Sequence, residues 1–295
     1  MDVCAIVVTY NRKELLEKCI TRIENQEYKV KHLLVFNNNS DDGTNDLLKR
    51  VKMKYSNVIV YNSKSNLGGA GGFSEAVKRA YMETKDDYFW IMDDDTMPER
   101  ESLRSFVSTS QNLKNNFGLL CSKVLWKDGS TVNAPIIDRR RWQNRIVYNV
   151  IGIERATFVS ILIKRQVVEK IGIPAADMVI WGDDAEYTTR ISHSYPAYLD
   201  LNSVAYHDTP LNTTNLNIFN DNVNRLERYF YGYRNAISIA RMYSNSGKVI
   251  KIILKDNYEI LKIIFSKSNN KFKRIRTILK GIIIGMTFKP KIKKI

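Results

Sequence analysis

The amino-acid sequence predicts an α/β fold in which a mostly parallel sheet is flanked by helices. Three observations predict it. Strand-like and helix-like segments alternate over the first 120 residues, the first strand-like run is continuously apolar, and polar clusters follow four of the strand-like runs. Alternating strands and helices imply a parallel sheet covered on both faces. In such sheets ligands bind beyond the carboxyl ends of the strands. The clusters Thr9–Arg12, Asn37–Ser40, Asn66–Gly72 and Asp93–Asp95 all fall on that one edge, which predicts a binding site there.

The elements follow in order. Val3–Thr9 is apolar and β-branched, hence a strand. Arg12–Glu24 puts Leu15, Leu16, Cys19, Ile20 and Ile23 on one helical face. Lys31–Phe36 reads as a second strand, and Gly43–Val51 as a helix with Asp41 or Asp42 as its N-cap. Val58–Tyr61 is a short strand and Gly72–Thr84 a helix. Tyr88–Met92 is a fourth strand that runs into Asp93-Asp94-Asp95. Beyond Pro98 come a helix, a strand at Phe117–Leu125, an Arg-rich loop at Asp138–Arg145 and a strand at Arg155–Ile163. An acidic start opens a helix across Trp181–Tyr195, and Ala197–Tyr206 is a strand closing at His207. Asp208–Asn222, rich in Asn and Thr, reads as a mobile loop.

From Asn224 the pattern turns helical, which divides the chain into a catalytic-type region 1–222 and a helical region 223–295. The net charge of +15 is concentrated in that second region. Residues 248–295 carry 14 Lys or Arg against Asp256 and Glu259. In Lys248–Lys267, Lys248, Lys251, Lys255, Glu259, Lys262 and Ser266 form a polar stripe, with Ile and Leu elsewhere on the wheel. A basic amphipathic helix without stacking aromatics points to an anionic membrane surface rather than to nucleic acid. Cys4, Cys19 and Cys121 are widely spaced in apolar or helical stretches and read as packing residues. With no secretory pattern and no apolar run long enough to span a bilayer, the expected location is cytoplasmic and peripheral at the inner membrane face.

Asp93-Asp94-Asp95 is the sharpest chemical feature. Three adjacent carboxylates repel one another unless a cation or solvent compensates, and a hard divalent cation bridging diphosphate oxygens would do so. The alternative is a solvated acidic turn before the next helix. Gly68-Gly69-Ala70-Gly71-Gly72 follows Asn66 and precedes a helix, which allows close backbone approach to an anion. It carries neither the P-loop Lys-Ser/Thr nor the dinucleotide spacing. Trp181-Gly182-Asp183-Asp184-Ala185-Glu186 is a second acidic cluster, in which Asp183 or Asp184 can take a proton from a hydroxyl, cap the helix, or both. His207 closes a strand and can complete a mixed N/O metal site.

The order of these segments resembles family 2 glycosyltransferases of the GT-A fold. The resemblance is carried by Ile6-Val7-Val8-Thr9-Tyr10-Asn11-Arg12, Asn37-Asn38-Asn39-Ser40-Asp41-Asp42-Gly43-Thr44, Asp93-Asp94-Asp95, the Trp181–Glu186 cluster and His207, across residues 3–210. Asn66–Phe73 and Tyr233-Arg234-Asn235 are similar to segments of galactofuranosyltransferases and the related rhamnosyltransferases.

The resemblance implies an inverting transfer from a nucleotide-sugar, UDP-galactofuranose or alternatively dTDP-rhamnose, to a glycan or lipid-linked glycan acceptor. It implies that Thr9, Tyr10, Asn11, Arg12 and Asn37 line the nucleotide pocket, Asn37 standing where the family usually has Asp. Asn66, Gly68, Gly69 and Gly72 would lie along the donor, and Asp94 would contact its ribose or sugar. Asp93, Asp95 and His207 would hold Mn²⁺ or Mg²⁺. Asp184 would be the catalytic base, with Trp181, Gly182, Asp183 and Glu186 on the acceptor side. Rival readings are a non-catalytic nucleotide-sugar module and a nucleic-acid binder. An oligomer stays open.

Overall fold

The computed structural model describes residues 1–209 and 217–295. Its elements are β1 (Val3–Thr9), α1 (Lys13–Glu24), β2 (His32–Asn37), α2 (Thr44–Lys54), β3 (Val58–Asn62), α3 (Gly68–Glu83), β4 (Tyr88–Asp93) and β5 (Thr96–Pro98). Then come α4 (Ser102–Asn112), β6 (Leu119–Leu125), β7 (Ile136–Ile137), β8 (Val150–Arg155), β9 (Ile161–Lys164), α5 (Arg165–Ile171), α6 (Asp183–Ser194) and β10 (Ala197–His207). The chain closes with α7 (Leu226–Tyr243), α8 (Ser246–Phe265) and α9 (Lys271–Gly285). The loop expected over 208–222 lies partly outside the described residues.

The sheet order is β3-β2-β1-β4-β9-β6-β10-β8-β7, with β5 paired to β10. β3, β2, β1 and β4 are mutually parallel, β9 enters antiparallel, and β6 and β10 resume the first direction. The carboxyl ends of β1, β2, β3, β4 and β10 therefore share one edge, where the polar clusters sit. Along β1, Val3, Ala5 and Val7 pack with Leu16, Ile20, Leu47, Leu48 and Phe106 of α1, α2 and α4. Cys4, Ile6 and Val8 pack on the other face with Phe73, Val77, Val168, Tyr187 and Ile191 of α3, α5 and α6. Fully burying one such side chain contributes about 1.5–3 kcal/mol. An N-cap is typically worth ~1 kcal/mol, and α1, α3, α4, α5 and α6 have no side-chain cap bond. Sheet burial, rather than capping, holds these helices. All three cysteines are buried and free.

Two expectations are corrected. The run expected as one strand, Arg155–Ile163, is split: β8 ends at Arg155 and pairs with β10, whereas β9 begins at Ile161 between β4 and β6. Thr188 Oγ1 caps Ala156 N at the break, at 3.0 Å, and a largely apolar run whose polar positions are only Arg155, Thr157 and Ser160 gives no clear sign of such a break. The glycine run is not a turn before α3 but its first turn, because Asn38 and Asn66 organise the entry.

The helical region packs through Leu226, Tyr229, Ile263 and Ile278. Ile239 of α7 reaches Ala70, Ala175 and Met178, joining that region to α3. Past α9 the chain returns to the α/β region: Ile173 N donates to Lys293 O at 3.0 Å and Lys291 N to Asp177 Oδ2 at 2.9 Å.

Candidate active site

A cleft of about 750 Å³ opens at the carboxyl edge of the sheet. Of the expected residues, Thr9, Tyr10, Arg12, Asn66, Gly68, Gly69, Asp93, Asp94, Asp95, Trp181, Gly182, Asp183, Asp184 and His207 line it. The three consecutive aspartates fan apart. Thr9 Oγ1 donates to Asp94 Oδ2 at 2.8 Å, and Arg12 bonds Asp94 Oδ1 at 3.2 Å and also Asp95. Asp95 Oδ1 lies 3.1 Å from His207 Nε2, a pairing that β5 and β10 create by aligning Thr96 with His207. His207 Nδ1 meets Asn133 Oδ1 at 2.9 Å, which holds the ring with Nε2 facing the carboxylates.

One ligand atom each of Asp93, Asp95 and His207 lies within 4.8 Å of the others. Burial, then the charge of Asp95, pushes the Asp93 carboxyl up to about 7. Asp94 is pushed up to about 6, chiefly by burial, with Arg12 opposing. Asp95 is buried too, but the hydrogen bond and charge of His207 and the charge of Arg12 bring it below the usual range. The Asp93 carboxylate receives no hydrogen bond among the described residues. An under-compensated carboxylate beside a second one and an imidazole is a donor set that fits Mn²⁺ or Mg²⁺.

The loop entering α3 at Asn66–Gly68 and the loop before α6 at Asp177–Trp181 are locked together. Asn38 Oδ1 accepts from Leu67 N at 2.8 Å, and its Nδ2 donates to Asn66 Oδ1 and Gly68 O. Gly68 has φ +73°, and a Cβ there would come 2.9 Å from Val179 O. Val179 O also accepts from Ala70 N at 3.1 Å. Val179 and Trp181 themselves have positive φ, 68° and 57°, which costs of order 1–3 kcal/mol each for non-Gly residues. Arg234 and Asn235 of α7 hold that strained segment. Arg234 donates to Asp177 O and Met178 O, and Asn235 Nδ2 to Met178 O, Ile180 O and Trp181 O at 3.0, 3.3 and 2.7 Å. The Trp181 ring meets Tyr229 edge-on at 5.0 Å.

Asp183 and Asp184 open α6 and line the same cleft. Burial, then the charge of Asp184, raises Asp183 well above the carboxylate range. Asp184 is also raised, by burial, against the backbone N–H of Ala185 and the charge of Arg155.

Four expected site residues do not line the cleft. Asn37 is 1% exposed; its amide donates to Asn45 and Asn62 and accepts from Ser40 N, so it builds the floor. Asn11 bonds Ser40 and Asp41 instead, joining the loops after β1 and β2. Gly72 lies inside α3, where a Cβ would meet Val8 at 2.8 Å. Glu186, expected on the acceptor side, is fully buried in an ion pair with Arg190 at 2.9 Å and accepts from Tyr243. Conversely, Asn38, Phe158, Arg225, Arg228 and Tyr229 line the cleft without having been singled out. Asn38 stood inside a flagged cluster, but the arginines follow no motif.

This sheet order, with an Asp-Asp-His cluster at the carboxyl edge, defines the class of the protein as a GT-A-type transferase fold. Solved structures share it. Staphylococcus aureus TarS 1-349 in complex with UDP superposes with TM-score 0.59 at 13% identity, over 97% of this chain and 91% of that one. A mannosyltransferase from Pyrobaculum calidifontis in complex with GDP-Man and Mn²⁺ gives 0.55 at 16% identity, over 98% and 76%. The chain belongs to glycosyl transferase family 2, whose model matches residues 4–172. Galactofuranosyltransferase GlfT1 of Mycolicibacterium smegmatis is 25% identical over 207 residues, 65% of this chain and 66% of that protein. The chain thus spans slightly less than two thirds of that relative's length.

Proposed function

We propose that this family 2 glycosyltransferase is an inverting, divalent-metal-dependent enzyme of cell-surface polysaccharide synthesis. It moves a sugar from a nucleotide donor, UDP-galactofuranose in first place, to a glycan or lipid-linked glycan. The observation that carries the reading is that the Asp93, Asp95 and His207 cluster and Asp184 line one cleft. The galactofuranose assignment is supported by the similarity to GlfT1 and by the Asn66–Phe73 segment.

Asp93, Asp95 and His207 would hold Mn²⁺ or Mg²⁺, which supplies charge neutralisation for a departing diphosphate. The chain's own residues do the rest. Asp184 accepts the proton of the acceptor hydroxyl. The freed oxygen attacks the anomeric carbon from the face opposite the leaving group, the bond to the diphosphate oxygen breaks, and the configuration inverts. Burial and the charge of Asp184 hold the Asp183 carboxyl well above the carboxylate range, which favours Asp184 as the proton acceptor of the pair. Trp181 and Tyr229 form an apolar platform suited to a sugar ring. Incubation with Mn²⁺ and UDP-galactofuranose, UDP-glucose, GDP-mannose and dTDP-rhamnose, with nucleotide release measured, tests the donor. Release restricted to the others would remove galactofuranose, and a product of retained configuration by NMR would remove the single displacement.

The helical region is proposed to rest on an anionic bilayer. Among the described residues no helix is long and apolar enough to cross a membrane. Ile250, Leu254, Leu261, Phe265 and Phe272 are exposed among the lysines of α8 and α9. Ile263 and Ile278 are fully buried, so a chain cut after α7 loses packing as well as charge. Flotation with anionic vesicles is better read on Lys251, Lys255 and Lys262 changed to Gln. At about 1 kcal/mol per lysine, the triple variant should stay with the soluble fraction, and unchanged flotation would count against the proposal.

A further inference from the structure

The α/β wall of the cleft is acidic, lined by Asp93, Asp94, Asp95, Asp183 and Asp184, and the guanidinium of Arg12, which lines it too, is committed to Asp94 and Asp95. Two more arginines reach the same cleft from the helical region. Arg225 ends the short helical turn Val223–Arg225, and Arg228 sits in the first turn of α7. Their setting differs from that of the structural arginines. Arg234 and Arg274 are buried and spend their donors on backbone carbonyls of Asp177, Met178, Ile218 and Asp221. Arg225 has only a loose 3.6 Å pairing with Asp221. Arg228 is exposed and has no carboxylate within ion-pair distance among the described residues. Its guanidinium is pushed below its usual range by burial and by the charges of Arg225 and Arg12. Like charges around one cleft are unfavourable unless an anion joins them.

We infer that Arg225 and Arg228 form a phosphate-binding subsite on the helical wall of the cleft. The planar guanidinium fork matches two phosphate oxygens at once, and two such forks within four residues suit a phosphate or diphosphate better than a lone carboxylate. Resting on the proposed transfer reaction, this subsite takes its phosphate from one of two sources: the donor's diphosphate, or a phosphate linking the acceptor glycan to its lipid. Either source ties substrate recognition to the helical region, which is not part of the family match at residues 4–172.

The test is calorimetric titration of the full chain with Mn²⁺ present. Uridine and UDP probe the donor, and geranyl pyrophosphate added to the UDP-saturated protein probes a lipid diphosphate. In Arg225→Gln/Arg228→Gln, affinity for UDP or for geranyl pyrophosphate should fall roughly tenfold or more, the scale of a lost charge-assisted hydrogen bond. Loss on UDP with uridine unaffected assigns the donor diphosphate, and loss on geranyl pyrophosphate alone assigns the acceptor. Arg228→Lys should keep more of that affinity than Arg228→Gln, as a merely structural arginine would not. Affinities for both probes within about twofold of the parent would overturn the subsite, as would a parent protein that binds neither. Mn²⁺-dependent UDP binding that persists in the first case leaves the donor site standing and removes the subsite alone.

Discussion

Asn133 Oδ1 lies 2.9 Å from His207 Nδ1, and this contact fixes which imidazole nitrogen faces Asp93 and Asp95. Asn133 sits in a loop, in a left-handed conformation at φ 50°, far in sequence from every recognisable motif. Outer partners of a ligating histidine typically govern metal affinity by 10–100-fold. Asn133→Leu should therefore weaken Mn²⁺ binding by about that factor with the fold intact, as followed by Mn²⁺ titration in paramagnetic resonance. Unchanged affinity would mean that His207 is not a ligand.

Asp184→Asn should lower turnover by roughly 10²-fold or more, whereas Asp183→Asn, at a carboxyl that burial and Asp184 push well above the carboxylate range, should be milder. Because a base must be ionised and burial raises Asp184, activity should fall with decreasing pH at a midpoint above the ordinary carboxylate range. A turnover profile flat down to that range, or equal losses for the two variants, would remove the assignment.

Asn235 acts on the reaction through the backbone it holds. Asn235→Leu strands the carbonyls of Ile180 and Trp181, at a cost of about 1–3 kcal/mol for each group left unpaired, and frees a segment already strained at Val179 and Trp181. The acceptor KM should rise and kcat should fall while UDP binding stays near the parent's. A matched loss of UDP affinity would instead mark general unfolding.

Asp256 of α8 is 4% exposed, and its Oδ2 has no hydrogen-bond partner. Burial, then Glu259, pushes its carboxyl up to about 7 from 3.8. The folded chain thus binds the proton more tightly than the unfolded one, and stability falls as pH rises from about 3.8 to about 7. Asp256→Asn should raise the urea midpoint at pH 8, and the gain should vanish near pH 4. A gain equal at both values would point to packing instead.

Much of the fold was legible because sheet strands in this class are uninterrupted apolar runs and their ends carry the polar clusters. Val3–Thr9 coincides with β1, and Asp93, Asp95 and His207 converge as their positions at strand ends require. What was not legible depends on tertiary pairing. The break between β8 and β9 is set by Thr188, which is distant in sequence. Glu186 sits in an acidic cluster, yet its side chain points away from the cleft into Arg190, which a one-dimensional pattern does not separate from Asp184 two residues earlier. Asn37 looked free for a nucleotide because Asn45 and Asn62, its partners, belong to other elements. Arg225 and Arg228 reach the cleft because Arg234 and Asn235 tie α7 to the segment before α6.

A divalent ion held by Asp93, Asp95 and His207 should be required for sugar transfer. Nucleotide release from UDP-galactofuranose should be measured with Mn²⁺, after chelation, and after Mn²⁺ is restored, in the parent and in His207→Ala. Release should disappear with chelator, return with Mn²⁺, and in His207→Ala be restored only at much higher Mn²⁺. Release that continues undiminished in excess chelator would contradict this requirement.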